Sequence, residues 1–142
     1  MPIWFGDFDL EGVGERIGET LAGHLGIELV EAGDDFLKAR MPVDRRTRQP
    51  AGLLHGGASV ALAETVGSIG AYQCIDREAF YCVGLEINAN HIRAVTEGFV
   101  IAVARPAHLG RSTHVWEVRI TDPADRLVCL ARITMAIVPR AR

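Results

Sequence analysis

Glu64 is the only charged side chain between His55 and Asp76, in a run otherwise made of small, apolar and uncharged residues. A segment that is apolar or small on every side predicts a helix in the protein interior. A lone carboxylate there either loses much of its solvation or keeps its proton to a higher pH. A purely structural Glu64 would need a buried arginine or backbone amides as partners, and the run supplies no cation of its own. Carboxylates in such surroundings acquire the pKa that a general base or nucleophile requires, so Glu64 is read as catalytic.

The rest of the chain has to place that carboxylate. With 142 residues, 49% hydrophobic content and mean hydropathy +0.16, it predicts one globular domain, residues 1–142, with a sizeable core. A net charge of −3 leaves no basic patch for nucleic acid, although 14 of the 15 cations are arginine, which suits local recognition of phosphate or carboxylate. Cys74, Cys82 and Cys129 show no metal or paired spacing. They read as free buried thiols and point to a reducing, cytoplasmic setting. Residues 1–10 lack the basic and apolar regions of a secretion signal. The 56–75 run is long enough to raise the question of a membrane span, but Glu64, its hydroxyls and its four glycines favour a core helix and no membrane association.

Leu10, Val13, Ile17, Leu21 and Leu25 are spaced as one amphipathic surface helix with Asp9 as its N-cap. Residues 27–31 and 36–43 read as strands joined by a tight turn at Gly33-Asp34, and residues 44–54 as a loop. After the central helix come strands at about 81–90, 99–105, 113–121 and 127–138. In the third of these His114, Trp116, Val118 and Ile120 alternate with Thr113, Val115, Glu117, Arg119 and Thr121, and Asp122-Pro123-Ala124-Asp125 forms a turn behind it. The connections are short and favour an antiparallel meander. The expected class is α+β, an antiparallel sheet wrapped around one long central helix. Ser59, Ala63, Gly67, Gly70 and Ala71 give that helix a face for close packing, on its own sheet or across a dimer.

His55-Gly56-Gly57, with Gln49 six positions before the histidine and Glu64 nine after it, resembles the hotdog-fold acyl-CoA thioesterases. The resemblance covers nearly the whole chain and is greatest to the Glu-type branch that contains the phenylacetate-pathway and 4-hydroxybenzoyl-CoA enzymes. Residues 41–44, 49–60, 84–91 and 108–110 look most like the subgroup acting on 1,4-dihydroxy-2-naphthoyl-CoA in menaquinone biosynthesis. The resemblance implies a hotdog fold and a soluble homodimer or dimer of dimers (a homotetramer), with sites between subunits. It implies no cofactor beyond the coenzyme A carried by the substrate, and no metal. Gln49 and His55 would orient the thioester, and Glu64 would act as nucleophile or as base toward water. The amides at Gly56 and Gly57, at the positive end of the helix, would stabilise the oxyanion. Ser68, at i+4 from Glu64, could hold the carboxylate or the water. No histidine at helical spacing would activate Ser68 as a nucleophile.

The same resemblance assigns coenzyme A to Gly84, to His91, Ile92, Arg93 and Ala94, and to a loop of His108, Leu109, Gly110, Arg111, Ser112 and Thr113. Arg93 and Arg111 are the phosphate partners, since a guanidinium fork matches phosphate oxygens. Val60, Ser68 and Tyr72 would line the acyl pocket, with room for a ring. His24 and His114 belong to no motif and are read as structural. Two other readings stay open: an acyl-CoA hydratase or dehydratase, whose acid/base pair falls in a different sequence frame, and a non-catalytic acyl-CoA sensor, for which the acidic N-terminal segment is too short to bind DNA.

Overall fold

A computed structural model describes residues 1–142. Two short helices, α1 (Leu10–Gly18) and α2 (Leu21–His24), precede strands β1 (Glu28–Ala32) and β2 (Leu37–Pro42). The long helix α3 (Gly56–Gln73) follows, and then β3 (Phe80–His91), β4 (Phe99–Leu109), β5 (Thr113–Thr121) and β6 (Leu127–Pro139). The strands form one antiparallel sheet in the order β1-β2-β4-β5-β6-β3, and α3 packs against β2 through β6.

That wrapping follows from side-chain size. Helix α3 buries Leu62, Ala63 and Val66 and has no charged face to turn toward water. A Cβ placed on Gly67 would lie 2.6 Å from the Ile133 methyl, and one on Gly70 2.8 Å from the Trp116 ring. The small-residue face is thus used within the chain, where it lets α3 sink onto β5 and β6. Trp116, fully buried, stacks on Trp4, whose indole N–H donates to the Gly33 carbonyl (2.8 Å). The N-terminal segment in this way straps the far end of α3.

Three sequence expectations need correction. The single helix over 10–25 is broken at Glu19-Thr20. Asp9 caps α1 as expected, accepting from the Gly12 amide (3.0 Å), but Thr20 is extended (φ −116°, ψ −171°) and its hydroxyl donates to the Ile17 carbonyl (2.6 Å). The chain then doubles back so tightly that a side chain on Gly23 would run into the Gly18 carbonyl. The strand expected to end at Arg105 continues to Leu109 through a bulge between Pro106 and His108. The bulge absorbs the missing proline N–H.

The meander holds only for β4, β5 and β6. Strand β3 leaves its successor and pairs with β6 at the opposite edge. The link 92–98 reaches across three strand spacings, roughly 14 Å, which seven residues span easily. It is pinned by amides of Ile92 and Arg93 donating to the Val128 carbonyl (2.8 and 3.2 Å) and by the Leu54 amide donating to the Val95 carbonyl (2.8 Å).

Candidate active site

The irregular segment before α3 is held in place without regular structure. The Thr47 hydroxyl donates to the Pro42 carbonyl (2.7 Å), Arg48 Nε to the Thr96 carbonyl (3.0 Å), and the His55 amide to the Thr47 carbonyl (2.8 Å). Gln49 closes a tight loop: its amide donates to the Leu53 carbonyl (2.8 Å), and its side-chain oxygen accepts from the Ala51 amide. The side-chain NH2 of Gln49 has no partner within the chain and stays available to a ligand.

His55 is the N-cap of α3, and its Nδ1 accepts from the Gly57 amide (2.7 Å). Of the two amides expected to face a ligand, Gly57 is therefore occupied and Gly56 alone lacks an acceptor. A Cβ on Gly56 would sit 2.9 Å from Nε2 of His91. The His91 ring thus packs against Gly56 at the start of α3.

Two turns further along α3, one Glu64 carboxylate oxygen, Oε2, is buried with no hydrogen-bond partner, and no cation pairs with the group. Burial pushes its pKa upward. Gly84 on β3 faces the carboxylate: a Cβ added there would be 2.9 Å from Oε1. Gly84 therefore makes room for the carboxylate. Ser68 does not hold Glu64 either: its hydroxyl faces the Met135 thioether at 3.7 Å. Because a thioether is a weak acceptor, that hydroxyl can turn toward a better one.

A cavity of about 360 Å³ opens along this face of α3, lined by Ser68, Ile69, Tyr72, Gly84 and Met135 and, from α1, by Val13, Arg16 and Ile17. Ser68 and Tyr72 fall where an acyl pocket was expected, whereas Val60 does not line it. The α1 residues and Met135 carried no signal in the sequence, since only the packing of α1 beside α3 brings them in.

The remaining expected residues form two groups at opposite ends of the sheet. His91 pairs with Cys129 on β6 and Thr113 with Ala136. Seven residues of strand put these levels about 24 Å apart. Arg93 follows the first level. Gly110, Arg111 and Ser112 turn at the second, where they line a separate cavity of about 770 Å³ with Asp76 and His114 at the other end of α3. His108 and Leu109 lie within β4, not in a loop. His114 is buried, and burial together with neighbouring His108 lowers its pKa. Arg93 and Arg111 of one chain therefore cannot share one phosphate group. In the same way, Glu64 is eight residues, about 12 Å, from the free Gly56 amide, too far for both to act on one carbonyl.

Residues 51–129 match the thioesterase superfamily model. The chain is 49% identical over 135 residues to the 1,4-dihydroxy-2-naphthoyl-CoA hydrolase of Escherichia coli K12, covering 95% of this chain and 98% of that protein. It is also 49% identical over 135 residues to the proofreading thioesterase EntH of Cronobacter turicensis, with the same coverage of 95% and 98%. Among solved structures, a glutamine-to-alanine mutant of a thioesterase from Pseudomonas aeruginosa superposes with a TM-score of 0.95 at 49% identity, covering 97% of this chain and 99% of that one.

Proposed function

The chain belongs to the thioesterase superfamily and is a thioester hydrolase of the hotdog fold; on that premise we propose that its substrate is an aromatic or otherwise bulky acyl-CoA, with dihydroxynaphthoyl-CoA and hydroxybenzoyl-CoA as the types to test first. Water cleaves the C–S bond to give the free acid and coenzyme A. Glu64 acts either by attacking the carbonyl carbon, with water opening the resulting anhydride, or by taking the proton of an attacking water. The observation that carries this reading is the buried Glu64 oxygen with no partner. A structural carboxylate at that depth would be paired, and a reacting one must be left free. The cavity beside it, apolar with a few polar groups, has the size and lining of a small-molecule pocket.

The site is read as shared between two copies. Strand β3 is a twelve-residue edge that exposes Tyr81, Val83 and Leu85, the last 62% exposed. The other edge, β1, is short, bulged and acidic, as protected edges are. Antiparallel pairing of two β3 edges about a two-fold axis near Ile87 sets Gly84 of one chain beside His91 of the other. Glu64 then meets the free Gly56 amide of the partner, and Arg111 approaches the partner's Arg93. Two distances too long within one chain are both removed by that single operation. The three free thiols accord with a reducing cytoplasm, and the reaction asks for no cofactor beyond the coenzyme A of the substrate.

The test is thiol release from benzoyl-CoA followed with a thiol dye. Cys74 and Cys82, pushed by burial to pKa values of about 12 and 11, stay protonated and contribute little background. The wild type should release coenzyme A, and Glu64→Ala should lower kcat by on the order of 10³ or more. A variant that keeps a tenth of the wild-type rate would remove Glu64 from the mechanism.

A further inference from the structure

The cavity beside Glu64 holds one charged residue. Seven of its eleven lining residues are hydrophobic, and the only permanent charge among the eleven is the guanidinium of Arg16, in the last turn of α1. A surface arginine normally answers to nearby carboxylates, and they are plentiful here: residues 1–37 contain nine Asp and Glu but no Lys or Arg other than Arg16. Even so, Arg16 forms no ion pair, with Glu19 or any other carboxylate. Its five N–H donors are left to water and to whatever enters the cavity. A second guanidinium, that of Arg77, stands over the Tyr72 ring at 5.8 Å and leaves a buried Nη1 without an acceptor. Tyr72 is eight residues from Glu64 along α3, about 12 Å, which is the direction an acyl chain must take from a carbonyl held near Glu64. The cavity therefore has an apolar middle and a cationic wall.

We propose that Arg16 makes the enzyme selective for aromatic acyl groups that carry an anionic oxygen, a carboxylate or a phenolate, remote from the thioester. The inference rests on the reading of this cavity as the acyl pocket of a thioester hydrolase. An apolar pocket by itself discriminates poorly between rings that differ in one polar substituent, whereas a charge-assisted, bidentate contact discriminates strongly. Arginine suits that task because its planar fork matches a carboxylate and it is weakly hydrated when free.

The experiment measures kcat/KM for para-carboxybenzoyl-CoA and para-methylbenzoyl-CoA in the wild type and in Arg16→Met, Arg16→Gln and Arg16→Lys. The quantity read is the carboxy-to-methyl ratio, in which general damage to the site cancels. The wild type should favour the carboxylated ring. Both neutral variants should lower the ratio about tenfold or more, the scale of one charge-assisted hydrogen bond in a partly solvated wall, and Lys should restore part of it. A ratio unchanged to within twofold in Met and Gln, with both rings still hydrolysed, overturns the role of Arg16 and leaves the thioesterase reading standing. A wild type that hydrolyses hexanoyl-CoA but neither ring overturns the aromatic reading, and this inference with it.

Discussion

Glu64 stands out in the sequence because a lone carboxylate in an otherwise uncharged helix violates the rule that buried charge is paired. The structure reproduces that violation in a buried oxygen without a partner. What surrounds it was not legible. Gly84 stands against Glu64 from a strand edge, Met135 and Arg16 line the neighbouring cavity from the last strand and the first helix, and no local pattern records the meeting of residues so far apart in sequence. The packing of His91 against Gly56 likewise follows from β3 ending beside the start of α3. The burial of Glu64 has a measurable cost in stability. A carboxyl whose pKa rises on folding binds its proton more tightly in the native than in the unfolded state. Its contribution is fully present below the ordinary value of 4.5 and is lost as pH climbs through the raised native value. Glu64→Gln cannot lose a proton, so it should be the more stable protein at neutral pH and converge with the wild type in acid. Urea midpoints of both proteins at pH 4 and pH 7.5 measure the difference, in which all other titrating groups cancel. A Gln variant less stable than the wild type at neutral pH would mean that the native state stabilises the ionised carboxylate.

Helix α3, the six strands and the N-cap at Asp9 follow from periodicity and turn chemistry. The break at Thr20, the extension of β4 and the displacement of β3 to the far edge do not, since a reversed corner, a bulge and a crossing link are each fixed by what the chain packs against. Within α3, glycines of identical composition have opposite uses. Gly67 and Gly70 admit Ile133 and Trp116, which are locked in the core, whereas Gly56 borders the exposed ring of His91. Gly70→Ala should therefore destabilise the fold by about 1–3 kcal/mol, the scale of overpacking. Its activity per folded molecule should be retained. Gly56→Ala should keep its melting temperature, because His91 can swing aside. Its kcat should nonetheless fall on the order of 10², because the methyl group obstructs the one free oxyanion donor. Thermal melts paired with kcat for the two variants separate the roles; a lowered melting temperature in Gly56→Ala with normal turnover would reverse the assignment.

At the scale of the whole molecule, no single copy brings the reacting groups together. The free amide and the carboxylate lie about 12 Å apart on one helix, and Arg93 and Arg111 sit at opposite ends of one sheet. The two-fold pairing proposed for the long β3 edge would resolve both separations. Gln49 and Gly56 then serve a site completed by Glu64 and Ser68 of the partner. This arrangement makes a numerical demand. When inactive Glu64→Ala and inactive Gln49→Ala chains are unfolded together and refolded, random pairing makes half of the dimers mixed, and each mixed dimer holds one site with both groups intact and one with neither. Activity should return to about a quarter of the wild type. The control is each variant refolded alone, which should stay silent, and size-exclusion chromatography of the mixture, which should show complete reassembly. If each chain builds its own site, every site in the mixture lacks either Glu64 or Gln49 and no activity returns, since pairing two broken halves cannot then assemble a whole one.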